Sequence, residues 1–262
     1  MERKISIVTP CYNSELYIEK TICSVMEQNY TNYEHIIVDG GSTDGTLDIL
    51  LKYDGVYPMK WISEKDEGMY DAINKGFRLA KGEIFAWINS DDVYFPWAFA
   101  TMNRVMNHSE ISWCGSGQMA FIDDQDSVYF INRTFGPVSY SQKLLQKGLY
   151  DGRFLGFVQQ EGTFWRRELW EKSGGIDISK KVAGDYWLWR TFAQREPLYT
   201  INTAISAFRK HEGQLSEDRN RYLAELPKNN SILSALEKTK LQYVINGLLH
   251  PFHKNLLQLE KM

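Results

Sequence analysis

The chain has 262 residues, 33 acidic against 30 basic, giving a formal net charge of −3 at pH 7. That length buries a sizeable core as one domain or one domain with an appendage, and the charge balance argues against a nucleic-acid partner held by a basic surface. The composition, 43% hydrophobic and 24% charged, is that of an ordinary globular protein, with a somewhat raised aromatic share of 14%.

The first hundred residues alternate two periodicities. Ile5 to Val8 is a short apolar run ending at the breaker Thr9-Pro10-Cys11-Tyr12-Asn13, after which Leu16, Ile18, Ile22, Val25 and Met26 recur at helical spacing. His35 to Val38 reads as a second strand, closing at Asp39 and the turn Gly40 to Gly45. Thr46 to Tyr53 reads as a helix, Met59 to Ser63 as a strand, Met69 to Ala80 as a helix and Ile84 to Ile88 as a fourth strand ending at Asn89-Ser90-Asp91-Asp92. This order predicts an α/β fold, a mostly parallel sheet with helices on both faces. Ligands of such sheets bind beyond the carboxyl ends of the strands. Polar clusters at Thr9, Asp39, 64–67 and Asp91/Asp92 all fall there.

The second half is less regular. Phe154 to Trp170 mixes aromatics with Gln159, Gln160 and Glu161, a turn is expected around Gly174-Gly175, and Asp185 to Arg195 suggests a helix. From about Arg219 the pattern is helical until Pro251. Such a stretch suits packing on the main domain, a peripheral membrane contact or a homodimer. Cys11, Cys23 and Cys114 have no metal or redox spacing, and the chain opens without a leader-like apolar segment, so a cytoplasmic protein is expected. The triplet Asn132-Arg133-Thr134 is then a chance glycosylation match.

Adjacent carboxylates at a strand end suit a hard divalent cation such as Mg²⁺ or Mn²⁺, and an isolated pair equally suits a solvated turn. Neighbouring side chains of an extended backbone point apart. Both need not grip the same ion: the metal is expected on Asp92, with Asp91 on the ribose side or a neighbouring cation. This pair has company: VTPCYN (8–13), VDGGSTDGT (38–46), SEKDEGMYDAINKG (63–76), NSDD (89–92), QEGTFWRRELWEKSGG (160–175) and AGDYWLW (183–189) follow in order. With these motifs the chain resembles the inverting glycosyltransferases of family 2, which have the GT-A fold, over roughly its first 210 residues.

The resemblance implies a nucleotide diphosphate sugar donor, most commonly UDP-linked, and a glycan or lipid-linked acceptor. Thr9 and Asp39 would hold the base and ribose, Asp39 equally suiting a turn, while Asp66 would contact the base or donor sugar. Asp91 and Asp92 match the metal-binding motif, and His211 would stand against the metal or diphosphate. Asp185 matches the general base that takes the proton of the incoming hydroxyl. Gln160, Glu161, Trp165 and Trp187 could line the acceptor pocket, the indoles equally suiting a core. The implied organisation is a catalytic domain over 1–218, divided into a donor half (1–92) and an acceptor half (93–218), followed by a helical extension over 219–262.

Competing readings lack their signatures. No Gly-X-Gly-X-X-Gly or P-loop follows the first strand, which speaks against a dinucleotide oxidoreductase and a P-loop enzyme. The Gly-rich, Arg-containing loop of a nucleotidyltransferase is missing too. A glycoside hydrolase needs two opposed carboxylates and no nucleotide site. A non-catalytic scaffold subunit would need no base, yet Asp92 and Asp185 are both present.

Overall fold

Residues 2–131, 140–153 and 155–227, with the backbone of Leu256–Leu257, are described by a computed structural model. Four strands and three helices open the chain: β1 (Ile5–Cys11), α1 (Ile18–Met26), β2 (Tyr33–Asp39), α2 (Thr46–Tyr53), β3 (Met59–Ser63), α3 (Met69–Leu79) and β4 (Ile84–Trp87). β1 and β2 are buried at every position, as strands covered on both faces must be. Pro10 cannot donate a ladder bond, and it stands where the cost is small. β4 ends opposite Val8, so β1 pairs only with β2 at that point.

The rest of the chain adds β5 (Val93–Tyr94), α4 (Ala98–Met106), β6 (Trp113–Ser116), β7 (Ala120–Ile122), β8 (Val128–Ile131), α5 (Gln142–Gln146), β9 (Thr163–Arg166), α6 (Arg167–Ser173), α7 (Gly184–Ala193), β10 (Tyr199–Ile201), β11 (Ser206–Arg209), α8 (Arg219–Ala224) and β12 (Leu256–Leu257). Among the described residues the main sheet runs β12-β10-β6-β9-β4-β1-β2-β3. It is mostly parallel, as the periodicity predicts, except that β9 enters antiparallel between β4 and β6. A smaller sheet, β5-β11-β7-β8, lies beyond the sequence-level expectation. Its strands are two to four residues long, too short to show a period.

The expected C-terminal extension is seen in part. α8 is helical as its pattern predicts, whereas Leu256–Leu257 forms a strand parallel to β10 and extends the main sheet. The remainder of the extension, with the membrane and dimer alternatives attached to it, lies outside the described residues, as does Asn132-Arg133-Thr134. No helix among the described residues is long and apolar enough to cross a membrane.

The tryptophans build the core. Trp87, Trp113, Trp165 and Trp189 are each at most 3% exposed and pack ring on ring, with Trp87 and Trp189 parallel at 5.7 Å between centroids. Trp165 contacts Trp87, Trp170 and Trp189 within 6.0 Å. This removes it from any acceptor pocket. The aromatic richness of the sequence goes mainly into this core.

Candidate active site

β1, β2 and β3 end level, Cys11 beside Asp39 and Asp39 beside Ser63, so the loops that follow open on one edge. Two donor-side expectations change on this edge. Thr9 lies within β1, fully buried, with its hydroxyl 2.9 Å from His35 Nε2. Asp39 is also fully buried; its Oδ2 accepts from the Gly41 and Ser42 N–H groups and the Ser63 hydroxyl, and its Oδ1 from the Ser42 hydroxyl. An Asp with its oxygens so occupied organises the Gly40-Gly41-Ser42 turn. Asp66 is half-buried, with Oδ1 accepting from the Gly68 N–H at 2.8 Å. It faces Gly40 so closely that a Cβ there would lie 2.7 Å from Asp66 Oδ2.

The acidic pair after β4 divides by burial: Asp92, expected on the metal, is the enclosed member. Asp92 is fully buried, its Oδ1 accepting from the Arg209 backbone N–H at 2.9 Å and its Oδ2 from the Asn89 amide. Burial, then the charges of Asp91 and Glu161, push its carboxyl well above the usual range. Asp91 is the accessible member, its side chain 25% exposed, and its Oδ2 stands 3.1 Å from His211 Nε2. His211 Nδ1 lies 2.8 Å from the Glu212 carbonyl, which leaves Nε2 facing Asp91. A fully buried Arg209 bolts these parts together through the Asp91 carbonyl, the Asp123 carbonyl and Asp126. The register of the small sheet explains the meeting, because Val93 pairs with Ala207.

Asp185 sits in the first turn of α7. Its Oδ1 is buried without a partner, and burial pushes the carboxyl up to about 6 despite the Tyr186 and Asp185 N–H groups and with help from Glu225. Glu161, 3% exposed, is pushed up to about 8 by burial, with the charges of Asp91 and Asp185 adding to it. Glu161 therefore stands within electrostatic reach of both. Gln160 is buried with its amide on the Trp87 carbonyl at 2.6 Å, a framework role rather than an open sugar contact. Trp187 is half-buried, its ring under Lys180 and Arg190 and its N–H on the Glu225 carbonyl.

Sequence reasoning missed Arg209 and Glu225. For Arg209 there was a faint signal, the alternating Ser206-Ala207-Phe208-Arg209 run ahead of His211; Glu225 had none. The protein set is short of a complete cation cage, since no group of three or more His, Cys, Asp or Glu side chains clusters for a metal among the described residues.

The family model for Glycosyl transferase family 2 matches residues 6–158, more than half of the chain. The chain belongs to this family. An uncharacterised glycosyltransferase of Rickettsia typhi is 29% identical over 256 residues, covering 95% of this family 2 chain and 77% of the relative. A putative teichuronic acid biosynthesis glycosyltransferase of Bacillus subtilis, TuaG, is 41% identical over 90 residues, 34% of this chain and 36% of its own. Among solved structures, Staphylococcus aureus TarS 1–349 in complex with UDP-GlcNAc aligns over 94% of this chain and 66% of its own, with a TM-score of 0.65 at 18% identity. Against another solved structure of TarS 1–349 the chain spans 60% of that length. The mannosyltransferase PcManGT of Pyrobaculum calidifontis, in complex with GDP-Man and Mn²⁺, aligns over 96% of this chain and 73% of its own, TM-score 0.62, identity 18%. These likenesses show the GT-A fold.

Proposed function

We propose that this family 2 glycosyltransferase moves a sugar from a nucleotide diphosphate donor, UDP-linked in the first instance, to a hydroxyl of a glycan or lipid-linked acceptor, with inversion. The observation that carries the reading is that Glu161 lies within electrostatic reach of both Asp91, which stands beside His211, and Asp185, whose buried Oδ1 has no protein partner. A buried acceptor left unmade is costly, and an incoming hydroxyl would satisfy it.

Asp185 takes the proton of that hydroxyl as its oxygen attacks the anomeric carbon. Its ordinary carboxyl affinity is too weak for the task, and burial raises it to about 6, nearer the working range of a base. Asp66, facing the bare Gly40 backbone, bounds the donor cleft, and the Gly40 turn is held by Asp39. On this reading Asp39 and Thr9 act through the shape of the cleft rather than by touching the base.

A divalent cation, Mn²⁺ or Mg²⁺, would be held by Asp91 and His211 rather than by Asp92. The residues fit one: their facing oxygen and nitrogen at 3.1 Å match adjacent ligands of an octahedral ion with bonds of about 2.1 Å. Donor oxygens and water would complete the shell, as such ions commonly require. When bound, the cation neutralises charge on the leaving diphosphate. Cys11, Cys23 and Cys114 are all unpaired, which suits action in a reducing, cytoplasmic compartment.

The test is a screen of nucleotide sugars with and without Mn²⁺ or Mg²⁺, reading nucleoside diphosphate release and acceptor glycosylation. Donor binding without turnover for every donor and acceptor offered would overturn the reading in favour of a binding subunit.

A further inference from the structure

The backbone before Asp185 is held from outside its own segment. Helix α7 begins after Ala183, which has no side chain able to cap it. Its free N–H groups are instead met by residues distant in sequence. Glu225, just past α8, accepts from the N–H groups of Lys181 at 2.7 Å, Val182 at 3.1 Å and Ala183 at 2.9 Å. Tyr70 in α3 packs against Gly184, the first residue of the helix. Tyr70 comes so close that a Cβ on Gly184 would lie 2.7 Å from its ring. The Glu225 carbonyl also accepts from the Trp187 indole at 3.2 Å, and Lys181 Nζ donates to the Glu67 carbonyl at 2.9 Å. Three consecutive N–H groups leading to α7, those of residues 181–183, are thus fixed by one carboxylate.

We propose that Glu225 is a positioning residue for Asp185: its carboxylate grips residues 181–183, sets the start of α7, and makes the α8 segment part of the active site. The proposal rests on the reading of Asp185 as the base. A carboxylate accepting several backbone N–H bonds gives strong, charge-assisted contacts. A displacement of about 1 Å at a reacting group can cost about 10²-fold in rate. Glu225 also acts by charge, since after burial it helps to hold Asp185 protonated to higher pH. The other ionisable groups facing Asp185 are Tyr70 of α3, Glu161 ahead of β9 and Tyr222 of α8. Each of them stays in place when Glu225 alone is changed.

The experiment compares Glu225→Ala, Glu225→Gln and Asp185→Asn in the full chain, with kcat, donor KM and the pH profile of kcat measured for each. Glu225→Ala is expected to lower kcat by about 10- to 100-fold with donor KM unchanged. Glu225→Gln keeps the shape and one acceptor oxygen; it should recover part of kcat while moving the acid limb of the profile to lower pH. A residue that only supported the fold would not move that limb. Added to Asp185→Asn, the Glu225→Ala change should cost little further. The proposal is overturned if Glu225→Ala turns over within about twofold of the unaltered chain, if donor KM rises in step with the loss, or if the two changes add in full. Near-normal turnover by Asp185→Asn would sink the base assignment itself, a separate result.

Discussion

His211 and Asp91, 120 residues apart in the chain, meet with Nε2 3.1 Å from Oδ2, while Asp92 turns inward to the Arg209 backbone. The two adjacent aspartates should therefore fail differently. Asp91→Asn is expected to abolish the metal dependence of donor turnover with the melting temperature little changed. Asp92→Ala leaves the buried Arg209 N–H without an acceptor and should cost about 1–3 kcal/mol of stability. Calorimetric titration of Mn²⁺ and donor, beside thermal melts, separates the two; Mn²⁺-dependent donor binding intact in Asp91→Asn would return the metal to Asp92.

Asp185→Asn should retain donor affinity and lower kcat by about 10²–10⁴-fold. In the unaltered chain the base acts deprotonated, so turnover should climb as pH rises through about 6 and then level off. A pH–kcat profile flat from pH 5 to 8 would speak for a different base.

The first half of the fold was legible because its strands carry apolar runs punctuated by Gly, Pro and Asp. The predicted β3 and α2 bounds coincide with those observed. The small sheet was not, because Val93–Tyr94 and Ser206–Arg209 are too short to show a period and pair across more than a hundred residues. That hidden pairing decides which aspartate faces outward. Asp39 and Asp185 illustrate a second limit: both are acidic residues in motif-like settings, yet one is saturated by local donors and the other carries an orphan oxygen. Partnering of this kind is a three-dimensional property.

Glu161 gives a stability prediction with a definite sign. Its folded-state carboxyl sits near 8, above the ordinary value of 4.5, so its contribution is fully present below about 4.5 and is lost as pH rises through about 8. Glu161→Gln should thus melt higher than the unaltered chain at pH 9 in chelator, by about 2–4 °C for each kcal/mol recovered, and the advantage should vanish at pH 4. Melting curves at the two pH values check it. An advantage equal at both would mean that the substitution acts through packing rather than charge.

The proposed donor cleft can be probed at Gly40 without substituting a charged residue. A methyl there would lie 2.7 Å from Asp66 Oδ2, the far end of a side chain that can swing aside. Because the Gly40 backbone is not in the left-handed region, Gly40→Ala needs no backbone strain, and stability should stay within about 1 kcal/mol. Asp66, however, would leave the place it holds beside the Gly68 N–H. If that carboxylate helps to shape the donor site, donor affinity should weaken about tenfold, while the acid limb set by Asp185 stays where it was. Equal donor affinity in Gly40→Ala and the unaltered chain, with both proteins folded, would take Asp66 out of the donor site.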